Sequence, residues 1–176
     1  MPAPHEIEYQ ELRATIRERG SLRMWAILVG LFAWGVLAMV LIATDGRGGI
    51  TMVPFLVLAA TFEISFFIHI GIERIGRYIQ VFHEESSGSA GWETTAMNYG
   101  RNFPGGLDPL FITLFALSAG ANYLSSLTLT TRRPGWVVVS VIAHLAFGWR
   151  LVIAKRLAAN QRATDLERFR GLKKSN

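Results

Sequence analysis

Glu63 sits inside a run of hydrocarbon. The stretch 61–85, TFEISFFIHIGIERIGRYIQVFHEE, also carries His69, Glu73, Arg74, Arg77 and His83. An ionisable group amid that much apolar sequence is expensive to bury, so it needs a partner or a task. Two further apolar runs carry polar residues of their own, Asn122 in one and His144 followed by Arg150 in the other. A carboxyl beside an imidazole is a proton-accepting pair or a structural hydrogen bond. Depth decides which residues meet. The run 51–72 is centred near Phe62 and the run 135–154 near Leu145, so Glu63 and His144 are predicted at one level, with Asn122 a few residues away. That pairing would solve the burial problem for both groups.

A second polar layer is predicted below the first. His69, Glu73, Arg77 and Gln80 recur at spacings of four, four and three, which places them on one helical face. Arg150 falls six residues below His144, at the depth of His69 below Glu63, and is offered either to Glu73 or to Glu63, or to the headgroup region by snorkelling. His69 and Glu73 at i and i+4 form a weak metal-binding pattern, with His144 a poorly placed third ligand. Ser140 lies four before His144, but no GxSxG, phosphate-binding loop, GxGxxG or HExxH accompanies it. The run His83-Glu84-Glu85 is expected to end the long helix in solvent.

The elements that hold these residues follow from composition. Half of the 176 residues are hydrophobic, at 51%, and they are bunched rather than periodic. Four runs, 24–44, 51–72, 109–130 and 135–154, reach the roughly 20 residues that a helix needs to cross a hydrocarbon core. The expected fold is therefore all-α, a polytopic membrane protein with four transmembrane helices in a bundle. Residues 4–19 read as a short amphipathic helix stopped by Gly20 and lying against the membrane or other helices. The first apolar run is preceded by Glu6, Glu8, Glu11 and Glu18, the wrong flank for a cleaved signal, so it is expected to be retained. Cysteine is absent, which excludes disulfides, thiol chemistry and iron–sulfur ligation.

Charge sets the predicted orientation. Only Arg47, Arg132 and Arg133 fall between the runs on one side, and the other fifteen of the 18 Lys and Arg fall on the opposite side. Both termini and the 73–108 segment are accordingly expected in the cytoplasm. No breaker stronger than Gly71 and Gly76 interrupts 51–85, so the second span is predicted to extend as helix beyond the membrane. The fourth continues similarly, and with residues 1–23 the two extensions form a helical stalk. Residues 86–108 read as a loop that packs back through Trp92, Met97, Tyr99 and Phe103, and Asp108 as the cap of the third span. In that span Ala116 and Gly120 form a small-xxx-small pair, which marks it as the helix the others pack against. The basic tail 155–176, ending in Lys173 and Lys174, suits anionic lipid rather than nucleic acid, because its charges are interleaved with Glu and flank a span.

Three function classes follow. The leading one is a non-enzymatic accessory or self-assembling subunit of the cell (inner or cytoplasmic) membrane, without cofactor. The alternatives are a small proton- or ion-coupled transporter or channel using Glu63 and His144, and a metal-dependent membrane enzyme using His69 and Glu73.

Overall fold

The structure, a computed structural model, describes residues 4–44, 48–85, 91–102, 109–130 and 134–175. These residues are helical almost throughout. Helix α1 runs Pro4–Ala43, α2 Val53–Ile79, α3 Trp92–Asn102, α4 Pro109–Thr130 and α5 Pro134–Ser175. Four of these five are long and apolar enough to cross a membrane, which points to a lipid environment. A 3-10 turn, Gly48–Met52, leads into α2, whose first turn contains Pro54, where a missing N–H is harmless.

Gly20 does not stop the first helix. It lies within the 40 residues of α1, because one interior glycine costs only about 1 kcal/mol relative to alanine. Good helix formers stand on both sides of it. Helix α5 likewise passes Gly148 and Gly171 in its 42 residues.

The long second helix changes pitch near its end. Residues Gln80–Glu84 form a π-helical turn, which rotates the side chains after it relative to a regular α-helix. His83 and Glu84, expected in solvent, are both only 6% exposed. The loop expected over 86–108 is also corrected. Its centre is helix α3, while residues 86–90 and 103–108, with Phe103 and Asp108 among them, lie outside the described residues. The aromatic residues of α3 are largely exposed, Trp92 at 68% and Tyr99 at 67%, whereas Glu93 is buried. The connections at 45–47 and 131–133 also lie outside the described residues.

The chain forms two compact units, one of residues 24–66 and 108–154, the other of residues 1–23, 67–107 and 155–176. The first has a phenylalanine core. Phe62 is fully buried and its ring meets Phe111 and Phe147 at 5.6 Å, Phe115 at 5.3 Å and Phe66 at 6.0 Å. Edge-to-face and offset contacts at these distances are favourable for aromatic rings. The close helix approach in this unit is not at the small-xxx-small pair of α4. A Cβ on Gly120 would meet nothing within 4 Å among the described residues, and Ala116 and Gly120 instead line an open groove of about 320 Å³ with Gly148. The close approach is at Gly30, where an added Cβ would overlap the side chain of Thr61, including its Cβ at 2.7 Å. Thr61 cannot swing away cheaply, since its hydroxyl donates to the Val57 carbonyl at 2.7 Å.

Replacing Gly30 with leucine is therefore expected to push α1 off α2 and to destabilise the protein by about 1–3 kcal/mol, as overpacking does. Gly35→Leu, on the same helix with open space around it, should be close to neutral. Unfolding of both purified variants by denaturant in mixed micelles measures the difference.

Candidate functional site

In the apolar unit the acid is clamped by a guanidinium. Arg150 Nε donates to Glu63 Oε1 at 2.8 Å and Nη2 donates to Oε2 at 2.8 Å, a two-pronged fork. The guanidinium carbon also lies 4.9 Å from the Phe66 ring centroid and 5.9 Å from that of Phe62. The Glu63–His144 bond expected from depth is thus not formed. The planar guanidinium presents parallel donors that match both carboxylate oxygens, and an imidazole can offer only one at a time.

His144 belongs to a separate relay that reaches three helices. Trp34 Nε1–H on α1 donates to Asn122 Oδ1 on α4 at 3.1 Å. That fixes the Asn122 amide so that Nδ2 donates to His144 Nε2 on α5 at 3.2 Å. His144 must then carry its proton on Nδ1, which donates to the Ser140 carbonyl one turn earlier at 2.7 Å. These three bonds are mutually consistent when the imidazole is neutral. Beside it the Ser126 and Ser140 hydroxyls lie 2.8 Å apart, and the ring packs on Phe55 at 4.3 Å and Tyr123 at 5.2 Å. Asn122 and His144 come together as depth predicts. Glu63 joins Arg150 instead.

The other unit is organised by charge. Arg77 is buried on α2, where Nη1 donates to Gln80 at 2.9 Å, one step along the predicted face, and Nη2 reaches Glu93 of α3 at 3.3 Å. Arg13 of α1 donates to the other Glu93 oxygen at 2.9 Å. Gly76 makes room for this carboxylate, since a Cβ there would lie 2.6 Å from Glu93 Oε2. Burial pushes the Glu93 carboxyl above the usual carboxylate range, against the pull of Arg77 and Arg13. Glu73 gives both oxygens to Arg162 of α5, at 2.6 and 2.9 Å, and Arg74 contacts Asp165 at 3.4 Å. A cavity of about 220 Å³ lies among Glu73, Arg77, Glu93 and Arg162. With both its oxygens on Arg162, Glu73 is occupied as a metal ligand would not be. His69 is half-buried nearby in sequence, and among the described residues no three His, Asp or Glu side chains gather as a ligand set.

Glu84 caps α3. Its carboxylate accepts the backbone N–H groups of Glu93 at 2.9 Å and Thr94 at 2.7 Å, and the Thr94 hydroxyl at 2.7 Å. These are N–H groups that the first turn of a helix leaves without partners. Gly91 is required there, because a Cβ would run into the Glu84 carboxylate.

Several of these residues carry no signal in the sequence. Arg162 and Asp165 are two charges among many in a basic tail, and Glu93 falls in a stretch of loop-like composition. Trp34 looks like one more apolar residue of the first span. No protein-family model, no curated protein and no solved structure matches the chain.

Arg150→Leu is expected to destabilise the protein by about 1–3 kcal/mol, because the part-buried Glu63 carboxylate loses both of its charged hydrogen bonds. The double variant Glu63→Leu with Arg150→Leu should recover most of that loss, and a double-mutant cycle of unfolding free energies reads the coupling. Glu84→Ala should cost about 1–2 kcal/mol as a lost cap, with amide exchange accelerating first in 92–95.

Proposed function

We propose that the protein is a non-enzymatic subunit of the cytoplasmic membrane that acts by assembly, with copies of itself or with other membrane proteins. In this reading residues 24–44, 51–72, 109–130 and 135–154 cross the bilayer as a four-helix bundle. Residues 1–23, 73–108 and 155–176 lie in the cytoplasm, on the side that carries the excess of Lys and Arg. The exposed Lys155, Arg156, Arg168 and Lys174 face anionic headgroups.

The observation that carries the reading is the engagement of the polar side chains in the apolar helices. The Glu63 carboxylate is held on both oxygens by Arg150, and both nitrogens of His144 are in hydrogen bonds. A proton or ion carrier needs a carboxyl that exchanges its partner at each turnover, and a bidentate guanidinium opposes that exchange. A metal-dependent enzyme needs a ligand set with an open position. Locked polar groups inside apolar helices instead fix how those helices pack, which is the requirement for a rigid surface that other subunits recognise.

Native mass spectrometry or blue-native electrophoresis from mild detergent tests the reading. It is expected to show a species heavier than the 19.6 kDa monomer, as an oligomer or with a co-purifying partner. Monomer alone, without any companion, would overturn it. Reporter fusions are expected to place both termini in the cytoplasm.

A further inference from the structure

His83 is the buried titratable group that none of these networks uses. It is 6% exposed, and among the described residues neither ring nitrogen has a hydrogen-bond partner. Buried polar atoms nearly always find partners, so the exception asks for an explanation. The ring lies against His5 of α1, centroid to centroid 4.0 Å at 51°, and is enclosed further by Tyr9 at 5.4 Å and Tyr78 at 6.1 Å. Glu8 Oε2 stands 3.7 Å from His83 Nε2, beyond hydrogen-bond reach. The other Glu8 oxygen accepts the Tyr78 hydroxyl at 2.8 Å. His5 Nε2 lies 3.3 Å from the Phe82 carbonyl oxygen. The first two turns of α1 are thus held on the π turn by aromatic packing, one bond from His5 and one bond to Glu8.

We propose that His83, with the His5 ring tilted against it, forms an acid-sensitive latch, which holds the start of α1 on the π turn while His83 is neutral and releases it when His83 is protonated.

The balance of charges around the pair sets the direction. From α1 the His83 ring faces His5, Glu8 and Tyr9. From α2 it sees the Tyr78 hydroxyl. From α5 come Lys173, whose Nζ donates to the Val81 carbonyl at 2.6 Å, and Arg170, which pairs with Glu85 at 3.1 Å. Glu8 is the acid nearest the ring, but its side chain is 48% exposed, where water screens it, and it is already committed to Tyr78. A charged His83 would therefore be buried without an adequate acceptor and pressed against the His5 ring, which disfavours the charge. Burial first, then His5, hold His83 below the ordinary histidine value, with Glu8 pulling the other way. A depressed histidine contributes stability that is complete above the unfolded value near 6.5 and is lost as pH falls through it toward the folded value. The latch is accordingly closed at neutral pH and opens in mild acid.

Hydrogen exchange of the full-length protein in lipid nanodiscs, corrected for the intrinsic pH dependence of exchange, tests this. Between about pH 7.5 and about pH 5.5 the segments 4–12 and 78–85 should lose protection several-fold, toward the ceiling of about tenfold that an unfolded value near 6.5 sets over this range, while α4 is unchanged. His83→Phe should keep both segments protected at either pH. His5→Gln, at an exposed position, should lower the midpoint by removing the like charge, and Glu8→Gln should raise it. Equal wild-type protection at both pH values overturns the latch, as does a His83→Phe chain that opens in acid like the wild type. Midpoints unmoved by both His5→Gln and Glu8→Gln would overturn the pairing on which it rests.

Discussion

The fork between Arg150 and Glu63 is the interaction on which the apolar unit depends. A single charge at the centre of an apolar helix is unfavourable by about 2.5–3.5 kcal/mol even on permissive insertion scales. Two charges are tolerated better together, and here two parallel N–H···O bonds hold both Glu63 oxygens, while the buried Arg150 Nη1 has no hydrogen-bond partner among the described residues. The pair is also cushioned by aromatic faces. Arg150 spreads over Phe66, and Phe66 stacks on Phe62, the buried centre of the phenylalanine cluster. Packing and pairing therefore reinforce each other, since moving α5 would break both the fork and the ring contacts. The relay from Trp34 through Asn122 to His144 obeys the same constraint with neutral groups. It closes its donors and acceptors across three helices and leaves the imidazole in one tautomer.

The second unit solves a different problem. Its helices bring charges inward, so cohesion rests on which ions are desolvated rather than on how many pairs exist. Exposed pairs such as Arg170 with Glu85 contribute little, in the range of about 0–1 kcal/mol. The buried centre is Arg77 with Glu93, joined by Arg13, and it draws together α1, α2 and α3. Glycines at 76 and 91 serve carboxylates rather than turns. Each is small so that Glu93 or Glu84 can lie against the backbone. The π turn has a comparable role, because it brings Glu84 round to cap α3 and turns His83 inward.

What the sequence reveals and what it hides divide along a physical line. Long apolar runs are legible because a stretch of eighteen or more mostly apolar residues with few charges suits a helix long enough to cross a membrane, and four such helices are present among the described residues. The continuation of the second and fourth helices beyond those runs is also readable from the lack of breakers. Partner choice is not. Depth offered Glu63 both His144 and Arg150, and only the match between a guanidinium and a carboxylate decides. Gly20 reads as a stop although its neighbours outvote it, and the Ala116–Gly120 pair reads as a packing seam although the close approach is made by Gly30. Arg162 and Glu93 are invisible for a simpler reason. Their importance lies in a neighbour from another helix, and no local spacing encodes that neighbour.

The central claim is that the Glu63 carboxylate is ionised and shared with Arg150 inside the apolar helices. Solid-state NMR of the protein in bilayers, with the glutamate side-chain carboxyls labelled with ¹³C and the arginine guanidiniums with ¹⁵N, measures it directly. The account predicts a carboxylate shift for Glu63 and strong dipolar recoupling to the Arg150 guanidinium nitrogens. A protonated Glu63, or one whose nearest labelled nitrogen is too distant to recouple, would contradict it.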